Sequence, residues 1–187
     1  YSVDVNDVKV RELNVTADEL VDTIKGLTAG EYYKIKGSCT LDRDTMSDIQ
    51  DEMDVSNAAD YPKIALDLGN TTGLTYNSFY DCYGLTSIVF PEGMTSIPSF
   101  YDCSNLTSIT IPASVKEIGD FAFFETSIQE VVFEDGESTL LLGNQKYSDG
   151  IGGGMFESVP VKTVYIGRNL TFRAHYSKPN SNALCAH

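Results

Sequence analysis

Short runs of alternating apolar and polar residues recur along the second half of the chain. The segment 85–91 reads LTSIVFP and the segment 106–112 reads LTSITIP. In each, alternating apolar residues predict a short strand with one face turned inward. The proline then ends the strand, because it has no N–H to donate to a sheet. Looser copies begin at Ile64, Ile128 and Val161, so the pattern predicts a series of equivalent strands.

The residues between these strands also repeat. The string FYDC occurs at 79–82 and again at 100–103, and apolar pairs at Met94 with Ile97 and Val115 with Ile118 lie between strand and string. One unit cannot bury its apolar side alone, so neighbouring units must stack. Stacking predicts two inner columns: Leu66, Ile88, Ile109, Val131 and Val164 in the first, and Leu68, Phe90, Ile111, Phe133 and Ile166 in the second.

The string LTSITIPASVKEIGDFAF at 106–123 resembles the BspA-like leucine-rich repeat of bacterial cell-surface proteins. The resemblance runs from about Ile64 to Leu170. Ile118-Gly119 and Ala122-Phe123 fit the family pattern, whereas Thr126 stands where the family has a cysteine. The resemblance implies an exported or surface-anchored protein, an adhesin or another ligand binder, and not an enzyme.

The first 60 residues show no such repeat. Thr16 followed by Glu19 predicts a capped helix start, 32–37 alternates like a strand, and 42–53 predicts a second helix. Because the end of a stacked repeat exposes apolar core, this region is interpreted as a cap that adds its strand to the edge of the sheet. An independent small domain is the alternative.

The predicted fold class is α/β: a short leucine-rich-repeat solenoid with a parallel β-sheet on its concave face and an N-terminal α/β cap. The predicted regions are 1–60 (cap), 61–170 (repeats) and 171–187 (irregular tail). A glycine-rich insertion at 143–154 is expected to be either a plain loop or a loop near the binding face.

Composition and charge disfavour some classes of partner and location. With 13 Lys+Arg against 27 Asp+Glu, the net charge is −14, which disfavours nucleic acid as a partner. No apolar run is long enough to predict a membrane span. The chain begins at Tyr1 without an export signal. It is therefore expected to be an internal fragment or a protein whose export signal has been removed. The resemblance implies a location at the cell surface, in the periplasm or outside the cell. A monomer is expected.

Candidate chemistry is sparse. His175 and His187 both fall in the tail without metal-ligand spacing, so neither a catalytic base nor a metal site is predicted, and no cofactor is implied. Acidic pairs such as Asp42 with Asp44 are interpreted as helix-end charges. Cys82 and Cys103 occupy equivalent positions in successive units, and buried free thiols are favoured over a disulfide.

The strand residues that point away from the core are the predicted binding residues. They are Asp67, Ser87, Val89, Ser108, Thr110, Glu130, Val132, Thr163 and Tyr165. Small hydroxyl groups with one tyrosine make a surface that suits a protein segment or a glycan. With the adhesin-like role that the resemblance implies, a protein ligand is the first hypothesis. A carbohydrate-binding accessory protein is the alternative, and an enzyme that uses the 143–154 loop is a third, weaker hypothesis.

Overall fold

A computed structural model describes residues 10–38, 40–54, 61–73, 79–119, 121–143, 155–156 and 158–172. The glycine-rich insertion beyond Gly143, the tail from 173 with both histidines, and the remaining cysteines, Cys39 and Cys185, lie outside the described residues.

Two helices and eleven strands are present in the described part of the chain. In chain order they are β1 (Val10–Val15), α1 (Ala17–Lys25), β2 (Tyr32–Gly37), α2 (Arg43–Met53), β3 (Lys63–Asp67), β4 (Leu85–Val89), β5 (Ser96–Ile97), β6 (Ser108–Ile111), β7 (Glu117–Ile118), β8 (Glu130–Phe133), β9 (Leu140–Leu142), β10 (Thr163–Ile166) and β11 (Leu170–Phe172).

These strands form three parallel sheets. The first has the order β1-β2-β3-β4, the second β10-β8-β6 and the third β11-β9-β7-β5. From β4 onward, each repeat unit gives one strand to the first or second sheet and its following strand to the third. The architecture is therefore an α/β repeat in which successive units pair strand on strand. The third sheet was not predicted, although its apolar positions were.

The predicted inner columns have the expected register. Ile109 lies opposite Val131, which lies opposite Val164, and Phe133 lies opposite Ile166 in the same ladders. Ile109 and Val131 are buried, as the alternation predicts, but Val164 is 39% exposed and Ile166 is 52% exposed. The prediction that these last two lie in the interior is wrong. β10 is the outermost strand of its sheet in the described residues, so no described strand covers its far side.

The FYDC strings form the third side of each unit. Their first residues stack as buried rings with the phenylalanines at the equivalent positions of the next two units. The ring centroids of Phe79 and Phe100 lie 5.1 Å apart, those of Phe100 and Phe123 5.8 Å, and those of Phe123 and Phe156 5.2 Å. Backbone bonds link the same turns, for example from Phe100 N to Ala122 O at 2.6 Å. One aromatic residue per unit therefore fills the end of the core.

Thr126 replaces the cysteine of the family pattern without leaving a buried group unsatisfied. Its side chain is buried, and its hydroxyl donates to the Phe123 carbonyl oxygen at 2.8 Å. Thr71 makes the same bond to the Leu68 carbonyl oxygen at 2.8 Å. A hydroxyl at this position closes the turn locally, which explains why the substitution fits.

The N-terminal region forms a parallel β-α-β-α unit whose strand β2 pairs with β3. The predicted capping box at Thr16 and Glu19 is present, and Asp42 caps α2 by accepting from Thr45 N at 2.8 Å. Met46 and Ile49 of α2 are buried, as predicted. The prediction that β2 joins the edge of the repeat sheet is confirmed, because Tyr33 and Ile35 pair with Ile64 and Leu66 of β3. β1, which was not predicted, pairs along the other side of β2. The charged string VRELNV in β1 gives little alternation to detect.

No helix in the described ranges is both long and apolar enough to cross a membrane.

Candidate binding face of the parallel sheets

Six of the nine predicted binding residues form two continuous rows on the sheet β6-β8-β10. Thr110, Val132 and Tyr165 are register partners in neighbouring strands. Ser108, Glu130 and Thr163 form the second row in the same way. These side chains are exposed or half-buried. In β6 and β8, alternation along the strand sends their neighbours into the core, whereas all four residues of β10 are exposed. Sequence alternation therefore placed these six side chains on one face.

The other three predicted residues lie on a different sheet. Asp67 of β3 is the register partner of Val89 of β4, and Ala65 is the partner of Ser87. β4 contacts β6 but no ladder joins them. The prediction of one continuous sheet is therefore wrong at this point. The β3–β4 ladder shifts register by a bulge just before this break, and bulges bend and twist a strand, which gives a physical reason for the interruption.

The face is longer than predicted because the N-terminal strands continue it. Lys34 and Lys36 of β2 are exposed, and their register partners in β3 are Ala65 and Asp67. Lys36 Nζ lies 3.8 Å from Asp67 Oδ2, and Lys34 Nζ lies 3.4 Å from Glu12 Oε1. The alternation of 32–37 could have identified both lysines. We define the outward face as the positions that point away from the core in strands β1 to β4 and in strands β6, β8 and β10. At its N-terminal end, Lys34 and Lys36 are thus each paired with a carboxylate.

Tyr165 is held in place at the other end of the outward face. Its ring is 51% exposed, and its hydroxyl donates to Asp135 Oδ1 at 2.8 Å. That hydrogen bond and the charge of Asp135 raise the pKa of Tyr165, so the phenol stays neutral. Glu134, next in the same acidic turn, accepts from Ala113 N at 2.9 Å. The acidic turn therefore joins neighbouring units and fixes an exposed aromatic ring.

The ionisable residues considered above for catalysis or metal binding have structural roles in the described part of the chain. No group of three or more His, Cys, Asp or Glu in the described part of the chain is arranged to hold a metal ion. Asp42 is engaged at its helix terminus. Cys82 and Cys103 are both buried free thiols, as predicted. The second thiol donates to the Phe79 carbonyl oxygen at 2.8 Å.

The described strands define a parallel-stranded α/β repeat. Residues 63–149 match the family of the BspA type leucine rich repeat region, in six copies. This segment is therefore a BspA-type leucine-rich repeat region, and the resemblance seen in the sequence is confirmed. No curated protein and no solved structure matches the chain. The ladders of β10 and β11 extend the structural repeat beyond the matched segment, to Phe172.

Proposed function

We propose that this chain is a protein-binding module and not an enzyme, and that the outward face is its binding surface. The observation that carries the proposal is the register of this face. Thr110, Val132 and Tyr165 line up across three strands, with Ser108 and Glu130 in the adjoining row. Small side chains on a rigid ladder leave a broad surface that an extended polypeptide can follow, and leucine-rich repeats serve as interaction modules.

The architecture suits this role if the units form a short solenoid whose outward face is concave. In that arrangement we take residues 1–60 as the cap, which the burial of Leu20 in α1 and Met46 in α2 and the pairing of β2 with β3 support. The ion pairs of Lys34 and Lys36 then make the capped end of the face nearly neutral. Ligand contact is concentrated on β6, β8 and β10.

A carbohydrate ligand is the less favoured alternative. Glycan platforms rely on exposed aromatic rings that stack on sugars. On the described outward face, the exposed tyrosines are Tyr32 and Tyr165, which are 43% and 51% exposed. Tyr32 lies on β2 and Tyr165 on β10, in different sheets. The small side chains between them favour a polypeptide.

The proposed setting is the outside of the cell. The BspA-type repeat supports an exported, surface-displayed protein with an adhesive role. The net charge of −14 supports a partner other than nucleic acid. Nothing in the pairing of the described strands requires a second copy, and we take the module to act as a monomer.

Two arrays probed with the labelled 187-residue chain test the proposal. One array carries purified extracellular-matrix and cell-surface proteins, and the other carries glycans. Saturable binding to a protein, with no glycan binding, is the expected result. Saturable binding only on the glycan array would overturn the polypeptide proposal and favour the alternative.

A further inference from the structure

A second, partly exposed aromatic surface lies on the third side of the repeat units, away from the outward face. Tyr80 stacks on Tyr101 with ring centroids 5.2 Å apart, and Tyr101 stacks on Phe124 at 4.9 Å. Phe121 meets Phe124 edge-on at 5.5 Å. Tyr80 is 40% exposed and the other three are partly exposed. We call these four residues the aromatic strip.

A row of carboxylates accompanies the strip. Asp81, Asp102 and Glu125 each follow one of its stacked rings in sequence, and we call them the acid row. Every ion pair among the described residues involves other groups, so no described lysine or arginine neutralises the row. On the outward face, by contrast, Asp67 is paired with Lys36. Within the described part of the chain, the acid row thus has no lysine or arginine partner.

The charges of the acid row act on one another and on the strip. Burial, together with the nearby Asp54 and Asp102 carboxylates, raises the pKa of Asp81. Burial and the charges of Glu125 and Asp102 raise the pKa of Tyr101. Burial and neighbouring carboxylates therefore disfavour the charged form of Asp81, and a cationic partner at this surface would favour it.

We propose that the aromatic strip and the acid row form a docking surface for an extended basic polypeptide segment, separate from the outward face. Charge complementarity identifies the partner as basic. Units of a parallel repeat are about 4.8 Å apart, so three successive carboxylates span roughly 10 Å, the length of about three extended residues. Two arginines or lysines within such a stretch match the row.

The aromatic strip makes a polypeptide a better partner than a small cation. The faces of Tyr101 are already covered by its neighbours, so the strip offers ring edges and hydroxyl groups. The methylene stems of arginine and lysine pack along such apolar surface while their charged ends reach a carboxylate. Arginine can also form two parallel hydrogen bonds with one carboxylate. This surface combines both contacts in successive units.

The test is fluorescence anisotropy of a labelled ten-residue peptide of alternating arginine and serine, titrated with the 187-residue chain. Binding is expected at low salt and should weaken as salt is added. Asp81→Asn and Glu125→Gln should each reduce affinity about three- to tenfold, since each removes a charge from the contact. Tyr80→Ser should also reduce it, by loss of the exposed ring.

Glu92→Gln is the matched control, because it removes the same charge from an exposed turn between β4 and β5 that belongs to neither proposed binding surface. It should leave peptide affinity within about twofold of the parent, since only a screened charge outside the contact is lost. Asp81→Asn keeps the shape of the side chain, and its thermal midpoint confirms that loss of binding is not loss of folding. Equal losses in Glu92→Gln and Glu125→Gln, or spermine binding as tightly as the peptide, would overturn the proposal. Neither result depends on whether the outward face binds a partner.

Discussion

Arg168 donates from Nη1 to the Ala113 carbonyl oxygen at 2.9 Å, although strand β8 separates the units to which the two residues belong. The same guanidinium donates to the Val115 and Pro112 carbonyl oxygens at 2.7 and 2.8 Å. Arg168 is 6% exposed and passes beside Gly136 of the intervening unit. One side chain thereby ties the last described unit to the unit two before it.

Arg168→Met should therefore destabilise the protein by roughly 2–4 kcal/mol, because three hydrogen bonds from a buried charged group are lost and the Val115 carbonyl oxygen loses its arginine donor. Urea denaturation followed by circular dichroism measures the change. Arg43→Met, at an exposed position, is the control and should have little effect. A small effect of Arg168→Met would show that the guanidinium does not hold these units together.

The strand phase of the outward face can be tested by two adjacent substitutions. Ile109 is buried and Thr110 is exposed. Ile109→Ala should lower the free energy of unfolding by about 2–5 kcal/mol, whereas Thr110→Ala should cost less than about 0.5–1 kcal/mol. Chemical denaturation of both variants gives the comparison. Equal losses would mean that Thr110 is not on the surface.

Asp81 gives a prediction on how the stability of the fold depends on pH. Its pKa is raised in the folded protein by burial and by the charges of Asp54 and Asp102, against a smaller opposing effect of a hydrogen bond from Tyr83. A raised carboxyl pKa means that the folded state binds the proton more tightly than the unfolded state, so ionised Asp81 lowers stability at neutral pH.

Asp81→Asn should accordingly raise the thermal midpoint at pH 7, and this gain should shrink as the pH falls through the folded pKa of Asp81. Asp42 behaves in the opposite way. Its pKa is lowered by hydrogen bonds from Thr45, so its contribution to stability is present above its unfolded pKa and is lost on acidification. Thermal melts of Asp81→Asn and Asp42→Ala across a pH series separate the two. An Asp81→Asn midpoint below that of the parent at pH 7 would contradict the assignment.

The two central thiols should be unreactive in the folded protein. Cys82 and Cys103 are buried, and the neighbouring thiol of Cys103 together with burial raises the pKa of Cys82 well above its usual value. Since the thiolate is the reactive form, iodoacetamide at neutral pH should modify both only after unfolding. Mass spectrometry of the labelled peptides, with and without urea, gives the measurement. Rapid labelling of Cys82 in the folded chain would contradict its buried environment.

The alternation of LTSITIP was sufficient to predict the strand phase, since burial of Ile109 and exposure of Thr110 depend only on a two-residue period. The third sheet escaped prediction because strands such as Ser96–Ile97 and Glu117–Ile118 are too short to show a period. Exposure of Ile166 could not be predicted from its own residue type, because it depends on whether another strand lies beside β10.

The two proposed binding surfaces also differ in how far the sequence predicts them. Lys34 and Lys36 follow from the alternation of 32–37 and were recoverable from sequence. The aromatic strip was visible only as a repeated FYDC string. The stacking of Tyr101 on the rings of neighbouring units, with its partial exposure, depends on how successive turns stack. A pattern within one unit does not contain that information.

Affinity of the outward face for its polypeptide partner, measured with Thr110→Arg, tests the central claim most directly. Thr110 lies in the middle of the row that joins β6, β8 and β10, so a bulky charged side chain there should obstruct an extended ligand. Thr95→Arg, at an exposed position just before β5 on the third sheet, is the matched control with the same change in size and charge. The account predicts at least about a tenfold loss of affinity for Thr110→Arg and parent-like affinity for Thr95→Arg in surface plasmon resonance against the protein selected on the array. Parent-like affinity of Thr110→Arg, with binding lost in Thr95→Arg, would place the ligand on the third sheet and contradict it.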